Sequence, residues 1–132
     1  MKVSARSVVD TPAAFRGGLW EVTDVHSRFD TVQVRVEARD NWIIQVTFDG
    51  VLNLRVVDER DLMEYWPTCS SPNGWLFEIF EGGLLDQERA RQGSLIGALN
   101  GEVTEYLITG ACQCVSVLTT GEPKVIVGPL PD

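Results

Sequence analysis

The chain predicts a sheet-rich α+β domain, and three observations carry that expectation. Apolar and polar residues alternate through the middle of the sequence, turn formers separate the alternating segments, and helical character is confined to short stretches. Seven to eight strands in an antiparallel meander are expected, with one to three short helices. So many strands in 132 residues leave edges to be covered, so the sheet is expected to be strongly curved, barrel-like or sandwich-like. No repeat, low-complexity tract or linker divides the chain, and residues 1–132 read as a single domain.

Taken in order, Thr11 is placed to cap a short helix that Pro12 begins and Gly17 ends. Residues 19–25 follow as a strand with Trp20 and Val22 inward. Val32, Val34, Val36 and Ala38 then alternate with polar residues, and Trp42, Ile44, Val46 and Phe48 form a matching apolar set. A three-residue loop, Arg39-Asp40-Asn41, opposes Ala38 to Trp42, Val36 to Ile44, Val34 to Val46 and Val32 to Phe48. The same logic applied to a loop Phe48-Asp49-Gly50 opposes Val46 to Leu52 and Ile44 to Leu54, making a third strand of one meander.

Residues 58–66 read as a short helix whose acidic first turn suits the helix dipole, with Pro67 after its end. Residues 75–80 form a strand after the turn Pro72-Asn73-Gly74. Residues 84–94 read as a loop or one helical turn, and 95–99 fit strand and helix equally. A hairpin, 104–109 with 113–118, turns around Gly110-Ala111-Cys112, and a last strand spans 125–127.

Acids outnumber bases by 19 to 11, a net charge of −8. Such a chain repels phosphate backbones and anionic membrane surfaces, so no nucleic acid and no membrane is expected among its partners; a basic protein is. No apolar run approaches the roughly 20 residues that span a bilayer, and the first ten residues lack an apolar signal segment. Three cysteines are too few for a disulfide framework, which fits a reducing cytoplasmic location.

Recognisable chemistry is sparse. His26, Cys69, Cys112 and Cys114 do not have zinc-site spacing, because Cys-x-Cys is not a knuckle and Cys69 stands apart; no metal and no cofactor is expected. Nucleophilic catalysis needs a base, and the single histidine, His26, sits in a strand stretch without a nucleophile elbow. Gly82-Gly83 belongs to no phosphate-binding pattern. Arg28, Arg35, Arg39 and Arg55 do not interleave with Trp20 and Trp42 as a base-stacking platform requires. No catalytic residue is assigned, and a non-catalytic binding role is expected.

Two acidic segments are the candidate partner-binding surface: Asp58, Glu59, Asp61 and Glu64 in the first, and Glu78, Glu81, Asp86 and Glu88 in the second. Runs of acids usually form a solvated face, but like charges so close together repel, and a basic partner relieves that. Trp66 and Trp75 flank the loop between the segments and are candidate aromatic anchors, with a core position as the alternative for each.

The stretches Glu105-Tyr106-Leu107-Ile108-Thr109, Cys114-Val115-Ser116-Val117-Leu118 and Glu122 to Val127, preceded by Trp75-Leu76-Phe77-Glu78-Ile79, resemble the closing part of small acidic bacterial immunity proteins. Those proteins are found beside secreted toxins. The resemblance covers the C-terminal part of the chain, is made of hydrophobic alternation, and transfers no functional residue. It implies a compact cytosolic inhibitor, monomer or homodimer, that blocks a basic toxin enzyme. Two other readings stand beside it: a structural subunit of a homo-oligomer, and a small hydrolase with a site near His26.

Overall fold

Among the described residues nine strands form, and they divide between two antiparallel sheets. The computed structural model describes residues 2–10, 20–38, 42–70, 73–94, 96 and 102–129. In chain order the strands are β1 (Ser4–Ser7), β2 (Trp20–Arg28), β3 (Thr31–Ala38), β4 (Trp42–Phe48), β5 (Val51–Asp58), β6 (Leu76–Glu81), β7 (Thr104–Ile108), β8 (Gln113–Thr119) and β9 (Lys124–Pro129). Two short helices, α1 (Trp66–Cys69) and α2 (Leu84–Ala90), and one 3-10 turn, Glu59–Asp61, complete the described elements. The five-stranded sheet runs β1-β6-β7-β8-β5 and the four-stranded sheet β2-β3-β4-β9.

The β3–β4 hairpin has the expected register: Val32 faces Phe48, Val34 faces Val46, Val36 faces Ile44 and Ala38 faces Trp42. Loop 39–41 itself lies outside the described residues. Strand β2 joins β3 with Trp20 and Val22 buried, and β9 adds to the far side of β4, Val127 opposite Ile44. The β7–β8 hairpin also forms where expected, Tyr106 opposite Val117 and Ile108 opposite Val115.

The third strand of the meander is a correction. Val46 does not face Leu52, because β5 leaves the first sheet altogether and pairs with β8 of the other one. Leu54 lies opposite Val117 and Val56 opposite Val115. The turn tightens to Asp49-Gly50, with Gly50 in the left-handed region at φ 70°. This leaves the outer edge of β4 open for β9. The result is two sheets and not one closed barrel.

One buried cluster joins the sheets: Val34, Val46 and Phe48 from the four-stranded sheet meet Leu76, Tyr106 and Val117 from the five-stranded one. The Phe48 and Tyr106 rings tilt against each other at 5.6 Å. Trp20 is tied across as well, its indole N–H donating to the Thr109 carbonyl at 2.7 Å. The opposite face of the five-stranded sheet is also buried. Phe77, Ile79, Leu107 and Cys114 pack there with Leu62, Tyr65 and Cys69, while Leu84, Leu85 and Ile96 cover Leu118. A central strand buried on both faces reads as a nearly continuous apolar run, as in Tyr106-Leu107-Ile108 and Cys114 to Leu118.

The covering layer departs from expectation in two places. Residues 58–66 are not one helix: Asp58 accepts the Arg60 N–H at 2.9 Å and caps a single 3-10 turn that stops at Leu62. The chain then bends so that Leu62 and Tyr65 both point into the sheet. Pro67 lies inside the first turn of α1, where a missing N–H costs nothing, and so opens a helix instead of following one. Residues 84–90 are helical within the segment read as a loop or single turn. Strand β1, a polar edge strand paired with β6, had no apolar alternation to mark it. Helix 11–17 lies outside the described residues, as do 95 and 97–99.

Candidate functional site

A buried carboxylate organises the covering layer. Glu105 alternates outward on β7, yet it is 1 % exposed because the helical layer closes over it. Its Oε1 accepts the Leu85 N–H at 2.8 Å, and its Oε2 accepts the Leu84 N–H at 3.1 Å and the Tyr65 O–H at 3.0 Å. The Leu84 N–H is shared, donating also to the Tyr65 hydroxyl oxygen at 3.0 Å. One acid therefore satisfies the first backbone donors of α2 and ties Tyr65 to them. Burial pushes the Glu105 carboxyl above its ordinary range, opposed by these hydrogen bonds and by the charge of Arg55. Tyr65 is pushed up by burial first and by Glu105 second.

This latch positions the acidic surface. Glu64 precedes Tyr65 and is exposed; Asp86 lies in the first turn of α2 and accepts the Gly82 N–H at 2.7 Å. Together with Gly82, Gly83 and Gln87 they line a shallow groove of about 310 Å³. The two acidic segments, apart in sequence, thus meet at Glu64 and Asp86. Gly83 has to be glycine, since a Cβ there would lie 2.6 Å from both Glu105 carboxylate oxygens.

The remaining candidates separate into engaged and unengaged groups. Asp58 pairs with Arg60 at 2.9 Å, which holds its carboxyl at about 2. Glu88 pairs with Arg91 at 3.0 Å and Glu78 with Arg6 at 2.8 Å. Glu78 also lies across from Tyr106, on the opposite face of the sheet from the groove, so it does not join the other acids. Glu59, Asp61, Glu64 and Glu81 make no ion pair among the described residues. Trp66 is half-buried, its indole N–H donating to the Glu59 carbonyl at 3.0 Å. Trp75 is fully buried in the inter-sheet core and offers a partner no surface.

His26 is exposed on β2 beside a shallow depression lined by Arg28, Phe29, Asp30, Thr31 and Gln33, and the Thr31 hydroxyl donates to Asp49 at 3.0 Å. Cys69 on α1 and Cys114 on β8 are buried where the covering layer meets the sheet, and burial raises their thiols to about 12 and about 11. Cys112 is exposed, its thiol held up by a hydrogen bond to Glu21 and by that residue's charge. Among the described residues no three His, Cys, Asp or Glu side chains cluster as a metal site would need, and no helix is long and apolar enough to cross a membrane. Glu105, Tyr65 and Arg6 were missed as organising residues; the one signal for Glu105 was an acid embedded in an apolar run.

Against this geometry, no family model, no curated protein and no solved structure matches the chain.

Proposed function

We propose that this chain is a non-catalytic binding module that seats a basic protein partner against the groove between Glu64 and Asp86, as an immunity-like inhibitor of a toxin enzyme would. The observation that carries the reading is the meeting of both acidic segments at one groove, held rigid by the Glu105 latch. Glu64 lines it without an ion pair among the described residues, and Glu59, Asp61 and Glu81 make none either, in a chain of net charge −8. Such a surface steers a basic partner and repels phosphate and anionic lipid. Half-buried Trp66 supplies an amphipathic ring beside the charges. A reducing cytoplasmic setting suits its three free thiols.

The test replaces Asp61, Glu64 and Glu81 by lysine and leaves Asp86 to hold the Gly82 N–H. Association with a basic candidate enzyme is then followed at low and moderate salt, together with that enzyme's inhibition. The on-rate is expected to fall by at least about tenfold at low salt, with a flatter salt dependence. An unchanged on-rate refutes the reading.

One observation favours the homo-oligomer reading. Strand β9 is a sheet edge whose Ile126 is 67 % exposed and whose neighbour Val127 is 45 % exposed, near partly exposed Trp42. Sedimentation equilibrium of the chain and of Ile126→Lys distinguishes a dimer sealed by this edge from a monomer.

A further inference from the structure

On the face of the five-stranded sheet turned away from the acidic groove lies a second cavity, and we propose that it is a receptor for a guanidinium group. This goes beyond the binding-module reading and does not depend on it. The cavity, about 480 Å³, opens where the β8–β9 connection passes over β1, β6 and β7. That volume lies within the usual range of small-ligand sites.

Three of its lining residues stand in one cross-strand row: Arg6 faces Glu78, and Glu78 faces Tyr106. Glu122 reaches in from the connection, and Thr104 and Thr120 add hydroxyls. Arg6 directs both its Nε–H (3.2 Å) and an Nη2–H (2.8 Å) at Oε1 of Glu78, leaving Oε2 of that acid without a described donor. Glu122 makes no ion pair among the described residues. With two carboxylates against one arginine, the lining is negative by one unit.

A second observation is independent of this charge. Tyr106 is only 6 % exposed, its ring packs on Phe48, and it lines the cavity. Its hydroxyl makes no hydrogen bond to a described residue and is not among the buried polar atoms, so the ring is held in the core while the oxygen stays open to a ligand. Glu78 lies directly across from Tyr106, and Arg6 and Glu122 line the same cavity wall. The site is thus a concave surface that offers Oε2 of Glu78, the Glu122 carboxylate, the phenol and two threonine hydroxyls as acceptors. A planar guanidinium carries five N–H donors in a fixed fork, whereas an ammonium carries three around a point charge, so the acceptor set suits the former.

The test is an amide-resolved NMR titration of the full chain with three probes: methylguanidine, N-acetyl-arginine methylamide, and methylammonium as a charge-matched control. Saturable shifts at Thr104, Tyr106, Thr120 and Gly121 in the millimolar range are expected for the guanidinium probes, with methylammonium several-fold weaker. Tighter binding of the arginine amide identifies a peptide-borne side chain as the ligand, and tighter binding of methylguanidine a free small molecule. Glu122→Gln, exposed and harmless to the fold, and Tyr106→Phe are each expected to weaken binding by about tenfold. Absence of saturable shifts, equal binding of methylammonium, or undiminished binding in both variants overturns the proposal. Because the groove residues are untouched, failure here leaves the acidic-groove reading standing, and the reverse also holds.

Discussion

Replacing Glu105 tests the latch most directly. Alanine at this position removes the acceptor for the Leu85 N–H and for the Tyr65 O–H, while the Leu84 N–H keeps its second acceptor, the Tyr65 hydroxyl oxygen. Two buried donors left without partners cost about 1–3 kcal/mol each, or about 2–6 kcal/mol together. No longer burying a carboxylate offsets part of this, so a net loss of about 2–4 kcal/mol is expected. Glutamine keeps one oxygen for Leu85 and turns its amide toward Tyr65, so its loss is expected to be about 1 kcal/mol at neutral pH.

The pH dependence has a definite sign. Burial raises the folded-state value of Glu105 above its ordinary 4.5. The stabilisation that follows from this is fully present below the unfolded-state value and is lost as pH rises through the folded-state value. Glutamine does not titrate. The stability gap between the native chain and Glu105→Gln should therefore be widest near pH 4 and shrink toward pH 8. Urea unfolding across that range measures it. A gap that widens with pH, or an alanine variant within about 1 kcal/mol of native, refutes the reasoning.

Three further outcomes are expected. Gly83→Ala drives a Cβ against both Glu105 oxygens and should destabilise by about 1–3 kcal/mol in urea unfolding, and much less in a Glu105→Ala background where the clash is gone. Phe48→Ala removes a fully buried ring that joins the two sheets and should cost about 3–5 kcal/mol by the same measure. Native protein treated with a thiol-reactive disulfide at pH 8 should label Cys112 alone, with Cys69 and Cys114 reacting only in denaturant; Glu21→Gln should speed the Cys112 reaction by lowering its thiol's pKa.

How much of this was legible in the chain depended on the range of each interaction. Val32 to Phe48 could be registered because strict alternation on both arms and a short connection leave one pairing that puts every apolar residue on one face. Leu52, Leu54 and Val56 alternate just as well, but Leu52 and Val56 stay 45 % and 43 % exposed, so here alternation marked neither a buried face nor a partner strand. Their partners, Val115 and Val117, are some 60 residues away, beyond any local rule. The acidic segments were legible as charge, but their meeting at Glu64 and Asp86 was not. It depends on Leu62 and Tyr65 turning the chain inward and on a buried acid from a distant strand. Glu105 was not singled out, because no local rule says that a second layer lies above its strand. The apolar run around it, Tyr106-Leu107-Ile108, was the trace of that layer.

Two of the three connections that carry the chain between sheets, β4 to β5 and β8 to β9, are knitted to each other. The Thr119 hydroxyl donates to the Asp49 carbonyl, the Thr120 N–H donates to the Gly50 carbonyl, and Lys124 reaches Asp49 at 3.6 Å. For a chain emerging from the ribosome this makes assembly a late event. Until residues 113–119 exist β5 has no neighbour, and until residues 124–129 exist β4 presents a bare edge beside buried Val46. The first half of the molecule must therefore wait as the three strands β2-β3-β4 with a loose strand attached. It is vulnerable to self-association through that edge, and a single non-local step closes both sheets together. A message cut short before that step should yield insoluble protein and not a smaller working domain.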